Sequence, residues 1–133
     1  MCRAWNSLLR SRLAASNSTI IENVHSINTL FGLAATASGN SVSIKGSVFS
    51  GNTTGIEADP GTVVNVDNTV INQNGTGVQA SGTIRLSNSD VANNSTGFAG
   101  SAVSYGNNRF LGNTGFGTAV TPAGGASSAL GLQ

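Results

Sequence analysis

Charge is scarce in this chain: 8% of its 133 residues are Asp, Glu, Lys or Arg, and the formal net charge is +1. No field of either sign is available, which excludes nucleic acid, an anionic membrane surface or a polyanionic glycan held by electrostatics alone. Cys2 is the only cysteine, so an intramolecular disulfide and a thiolate metal cluster are both excluded. No run approaches the roughly 18 apolar residues of a membrane span. Arg10 and Arg12 interrupt the opening stretch MCRAWNSLLRSRLAASN too early for a signal peptide. Aromatic residues make up only 5% of the chain.

What remains is Gly, Asn, Ser and Thr interleaved with Val and Ile. A disordered chain of this polarity would carry more charge and fewer β-branched residues; alternation of polar and β-branched side chains is a strand pattern. The pattern also repeats. Residues 64–74 read apolar, any, apolar, any, small, Ser/Thr/Asn, any, apolar, two of any kind, Asn, and residues 42–52 (VSIKGSVFSGN), 84–94 (IRLSNSDVANN) and 103–113 (VSYGNNRFLGN) fit the same template. Residues 13–23 (LAASNSTIIEN) fit with Ala at the third place. A Gly followed by an apolar residue closes the later units at Ile56, Val78, Phe98 and Phe116. In the first unit the closing Gly32 comes late, which predicts an insertion bulging from residues 24–31.

Each unit offers about four apolar side chains to an interior, too few to bury a core alone, so stability must come from neighbours stacked about 4.8 Å apart. The expected interior is Val42, Ile44, Val64, Val66, Ile84, Leu86, Val103 and Tyr105 on the first strand of each turn. Phe49, Ile71, Val91 and Phe110 follow on the second strand, and the residues after the closing glycines on the third. Stacking would align Asn23, Asn52, Asn74, Asn94 and Asn113 at one corner, and Ser18, Ser47, Thr69, Ser89 and Asn108 at another. Trp5, Leu8 and Leu9 share a helical face, which predicts a short helix over the first rung.

The five units resemble the parallel β-helix repeat I-x-I-x-x-S-x-F-x-x-N-x-x-G-I of the pectate-lyase-like family, with residues 42–56 matching closely. That resemblance implies an all-β, right-handed single-stranded parallel β-helix of about five turns. The expected layout is a capping helix or non-native start at 1–12, repeats over 13–118 and a flexible tail over 119–133. The abrupt entry into the repeat at Leu13 points to the C-terminal portion of a longer protein. The family includes polysaccharide lyases and hydrolases and many secreted proteins, and by that likeness the compartment would be the cell surface or outside.

For chemistry, the family's lyases use clustered carboxylates with calcium and a nearby Arg or Lys, and its hydrolases paired aspartates. Here Glu22, Glu57, Asp59, Asp67 and Asp90 are the complete acidic set, and no two share a column of adjacent turns. Glu57 and Asp59 beside a D-P-G turn are a thin start for calcium, which wants six or more oxygens. Lys45 falls over Asp67 and Asp90 over Arg109, read as register-keeping pairs on the outer surface. His25 lies in the expected insertion with only Glu22 near it in sequence. Sequons at Asn17, Asn52, Asn74, Asn93 and Asn94 fall out of the repeat. The expectation is therefore a non-catalytic module with no cofactor, metal or catalytic residue, binding carbohydrate or protein. The enzyme alternative is a lyase or hydrolase using Asp67, Asp90, Arg85 and Arg109.

Overall fold

A computed structural model describes residues 11–13, 18–36 and 38–122. A first strand, β1 (Ser11–Leu13), is followed by five turns of three strands each. These are β2 (Ser18–Glu22), β3 (His25–Ile27) and β4 (Phe31–Ala35), then β5 (Ser41–Lys45), β6 (Val48–Ser50) and β7 (Thr54–Ala58). The third and fourth turns hold β8 (Val63–Asp67), β9 (Val70–Asn72) and β10 (Thr76–Ala80), then β11 (Thr83–Ser87), β12 (Asp90–Ala92) and β13 (Thr96–Ala99). The fifth holds β14 (Val103–Ser104), β15 (Arg109–Leu111) and β16 (Gly115–Gly117), and β17 (Thr121–Pro122) follows it. Every strand pairs in parallel with its counterparts one turn away, giving three sheets: β1-β4-β7-β10-β13-β16, β2-β5-β8-β11-β14-β17 and β3-β6-β9-β12-β15. The fold is an all-β parallel solenoid.

Alternation along each strand decides which side chains meet on the axis. In the second to fourth turns, Val42, Ile44, Phe49, Ile56, Val64, Val66, Ile71, Val78, Ile84, Leu86, Val91 and Phe98 are all buried in one continuous core. Glycine at the second place of the third strand is a steric requirement in the first three turns (Gly32, Gly55 and Gly77): a Cβ on Gly55 would stand 2.6 Å from the Gly77 carbonyl oxygen and 2.8 Å from Ile71.

Polar side chains turn inward at two corners, where the chain leaves one sheet for the next. At the corner after the first strand the backbone N–H of Val24 donates to Ser47 Oγ (3.2 Å), Thr69 N–H to Ser89 Oγ (3.2 Å) and Ser89 N–H to Asn108 Oδ1 (2.9 Å). At the next corner Asn52 N–H donates to Asn74 Oδ1, Asn74 N–H to Asn94 Oδ1 and Asn94 N–H to Asn113 Oδ1, all at 2.9 Å. The amide nitrogens of Asn52, Asn74 and Asn94 return bonds to the carbonyls of Ser26, Phe49 and Ile71. Buried polar groups are tolerable only when satisfied, and these columns satisfy one another. The left-handed residue sits one place before the inward one: Asn28 before Thr29, Gln73 before Asn74 and Asn93 before Asn94 have φ of 57°, 56° and 56°.

The first turn is placed differently from the sequence template. Thr19 pairs with Val42 and Ile21 with Ile44, His25 with Val48 and Ser26 with Phe49, and Leu33 with Ile56. Residues 24–31 are therefore no insertion; they hold β3 and its two flanking corners. Asn23 (φ 55°) does not join the Asn52 column, and belongs with the left-handed Gly46, Asn68 and Asn88 at the preceding corner. Thr29 takes the inward position instead, both its N–H and its hydroxyl donating to Asn52 Oδ1. Val24 similarly stands where Ser18 was expected. Leu13 lies in β1, which pairs with β4 and so belongs to the third face of a preceding turn.

The fifth turn departs from the template as well. Arg85 pairs with Val103 and Leu86 with Ser104, one residue off the expected register. An extra residue in the corner before Arg109 restores the phase, since Asp90 still pairs with Arg109. A one-residue slip exchanges the faces of a strand. Ala102 and Ser104 point inward, while Val103 is half-buried and Tyr105 is 47% exposed. Phe116 pairs with Gly97 rather than Phe98, and its ring joins Phe98 and Phe110 in a cluster with centroids 5.1 to 5.9 Å apart. The expected capping helix falls on residues outside those described, except Arg12 and Ser11, which are strand.

Candidate functional site

Two outer surfaces carry the chemically capable side chains. On the β2-β5-β8-β11-β14-β17 sheet, alternation places Ile20, Ser43, Asn65, Arg85 and Val103 in one outward column. Glu22, Lys45, Asp67 and Ser87 form the next. Tyr105 continues that second column, its N–H bonded to the Leu86 carbonyl at 3.0 Å. On the β3-β6-β9-β12-β15 sheet the corresponding column runs His25, Val48, Val70, Asp90, Arg109. The Lys45–Asp67 and Asp90–Arg109 registers are as the repeat alignment predicts.

Asp90 and Arg109 form a two-pronged ion pair, with Nε to Oδ1 at 2.9 Å and Nη2 to Oδ2 at 2.8 Å. The Arg109 hydrogen bond holds the Asp90 carboxyl below its ordinary range, outweighing burial, which pushes it up, with the Arg109 charge a lesser aid, and Asp90 in turn pushes Arg109 up. Both shifts point away from proton transfer near neutral pH, where a general acid or base needs a value near the working pH. With 78% of the Arg109 side chain exposed, the pair is a surface contact of modest energetic weight.

Asp67 is engaged in another way. Its Oδ1 accepts from Ser87 Oγ at 2.9 Å and from Asn88 Nδ2 at 3.2 Å. Asn107 Nδ2 donates to Asn88 Oδ1 at 2.8 Å, and Asn107 Oδ1 accepts from Asn88 N–H at 3.1 Å. Arg85 Nη1 donates to Asn65 Oδ1 at 3.3 Å. The four residues of the enzyme alternative thus lie on two neighbouring sheets, Asp67 and Arg85 on one, Asp90 and Arg109 on the other.

The structure adds a residue that the sequence reading put in the core. Tyr105 is exposed at the end of the column holding Asp67 and Ser87, diagonal to Arg85, a spacing of roughly 7–8 Å in such sheets. No spacing in the sequence reveals it, because residues 103–113 fit the template without a gap and the longer corner shows only in the pairing of Leu86 with Ser104 and Asp90 with Arg109.

Other candidates are placed plainly. His25 is an exposed strand residue, on the far side of a corner from Glu22. Glu57 Oε2 accepts from Gln79 Nε2 at 3.0 Å, while the Asp59 carbonyl accepts from Thr62, so the pair serves a cross-strand contact and a turn. Among the described residues no three His, Cys, Asp or Glu side chains gather as a metal site would require. No helix of the described residues is long and apolar enough to cross a membrane. Asn52, Asn74 and Asn94 are buried and their amides hydrogen-bonded, so those three sequons are closed in the folded chain.

Compared with known proteins, the chain matches no family model, and no curated protein or solved structure shows significant similarity to it.

Proposed function

We propose that the chain is a non-catalytic binding module of a surface or secreted protein, and that it takes an extended, neutral carbohydrate along the outer face of the β2-β5-β8-β11-β14 sheet. The observation that carries this reading is the neighbourhood of Asn65, Arg85 and Tyr105. It puts an exposed ring on the same outer face as a guanidinium bonded to an amide, with Arg85 on the neighbouring strand and Asn65 on the one beyond. A ring presents an apolar face with a polar tip, and the amide and guanidinium offer directed bonds to hydroxyls. The net charge of +1 argues for an uncharged ligand. The resemblance of the repeat to pectate-lyase-like proteins supports the surface or secreted setting.

The lyase or hydrolase alternative has less support, because the carboxylates of Asp67 and Asp90 are both occupied by hydrogen bonds. The test is to titrate a panel of neutral oligosaccharides into the wild type, Tyr105→Ala and Arg85→Ala. Binding should weaken about tenfold in each variant, some 1.4 kcal/mol, with the sugars recovered intact. Cleavage of any sugar, lost in Asp67→Ala, would overturn the non-catalytic reading; binding indifferent to both variants would overturn the placement of the site.

A further inference from the structure

The chain contains a single Asn-Gly step, Asn74–Gly75, and it lies at an inward corner of the central turn. Asn-Gly is the backbone sequence most prone to lose ammonia, because glycine offers no side chain to hinder the attack of its own nitrogen on the asparagine amide. The fold requires both residues. Asn74 is 2% exposed and bonded through every polar group of its side chain. A Cβ on Gly75 would stand 2.7 Å from the Thr53 carbonyl oxygen, so a larger residue demands a local shift.

We infer that Asn74–Gly75 is a chemical modification site that the folded solenoid holds shut and that opens when the central turn unfolds. In the reaction the Gly75 nitrogen bonds to Asn74 Cγ, the Cγ–Nδ2 bond breaks, and ammonia leaves with the proton from the Gly75 N–H. Water then opens the resulting five-membered imide at either carbonyl, giving aspartate or isoaspartate; no oxidant or reductant is involved. In the folded chain the Gly75 N–H donates to the Asn52 carbonyl at 2.9 Å, and Asn74 Nδ2 donates to the Phe49 carbonyl and to Asn94 Oδ1 at 3.0 Å. Nucleophile and leaving group are held by different partners, and the amide cannot swing onto the Gly75 nitrogen.

The product does not fit back. An aspartate at position 74 would set a carboxylate oxygen against the Phe49 carbonyl and Asn94 Oδ1, where the amide had donated, burying a charge with only the Asn52 N–H left to donate to it. An isoaspartate adds a methylene to the backbone and displaces the corner from its neighbours. Time spent unfolded is therefore recorded at this step and converts reversible unfolding into permanent loss.

The experiment holds folded protein and denaturant-unfolded protein side by side at mildly alkaline pH, with peptide mapping by mass spectrometry that separates aspartate from isoaspartate. In the unfolded chain Asn74 should convert ahead of the other asparagines. In the folded chain its conversion should be slower by on the order of a hundredfold or more, reflecting the free energy of opening. The refolded fraction should fall in step with the converted fraction. Gly75→Ser, which installs the residue type found at Ser95 on the next turn, should preserve refolding after the same treatment. Equal conversion rates in the two states, or converted chains that refold as well as unconverted ones, would overturn the inference. The wild-type comparison decides even if Gly75→Ser does not fold.

Discussion

The third turn and the fifth fit the same repeat template and are built differently. In the third, Val64 and Val66 face the axis and Asn65 faces out, held between strands on both sides in matching register. In the fifth, the same alternation is turned over: Val103 and Tyr105 face out, and Ala102 and Ser104 take the inner positions. The apolar volume lost there is supplied by the Phe98, Phe110 and Phe116 rings, which meet at the end of the core. Hydrophobic alternation fixes that a strand forms; the length of the adjoining corner fixes which side of it is buried.

The sharpest way to test this contrast is to place a charge on the axis. Ile71→Asp should cost about 4 kcal/mol or more, enough to abolish the cooperative unfolding transition of a domain of ordinary stability. Ser43→Asp, on an exposed position of a middle strand, should leave that transition within about 0.5 kcal/mol. Equal damage would mean inside and outside are misassigned. Next in size is the inward asparagine column. Asn94→Ala strands the Asn74 N–H and the Ile71 carbonyl and should cost about 2–4 kcal/mol in denaturant unfolding, whereas Asn113→Ala, in the half-exposed last turn, should cost about half that.

A paired polar substitution tests the register change itself. Val66→Ser should lose about 2–3 kcal/mol of burial, while Tyr105→Ser should move stability by no more than about 0.5 kcal/mol. Comparable losses would place Tyr105 in the core and restore the repeat's own register. The smallest effect belongs to the Asp90–Arg109 pair. Because the folded Asp90 carboxyl titrates below its ordinary 3.8, the unfolded chain binds more protons in that window. The pair's contribution is therefore present above pH 3.8 and fades as pH falls through the folded value. Arg109→Ala should flatten this part of an acid-unfolding curve by lowering the neutral-pH stability only slightly, as befits so exposed a pair, with the two proteins converging at low pH.

The middle turns were legible because residues 42–56 and the two units after them keep one spacing of apolar, small and Asn positions, and the solenoid with its parallel registers follows from that spacing. The first turn was hidden by three polar substitutions at inward places: Thr19 where Val42 stands, Ser26 where Phe49 stands and Thr29 where Asn52 stands. Asn23 supplied a false anchor, because asparagine serves this fold in two ways, as an inward amide and as a left-handed corner residue. Tyr105 was misread for another reason. The template matched residues 103–113 letter for letter, and only the partner strand reveals that the last turn spends one more residue at its corner. Of the surface chemistry, the Asp90–Arg109 register could be read in advance, but the bonds from Ser87 and Asn88 to Asp67 could not, since they depend on rotamers.

The corner hydrogen bonds run both ways: a main-chain N–H is received by a side-chain oxygen of the turn that follows it in sequence, and the amide of that same side chain donates back to a carbonyl of the turn before. Removing a turn from the finish strands the N–H groups that these oxygens receive, and removing one from the start strands donors as well, among them the Asn52 amide and the Val48, Thr53 and Thr54 N–H groups, which bond to carbonyls of the turn before. Neither end offers a gentle cut: each rung is stitched to both of its neighbours.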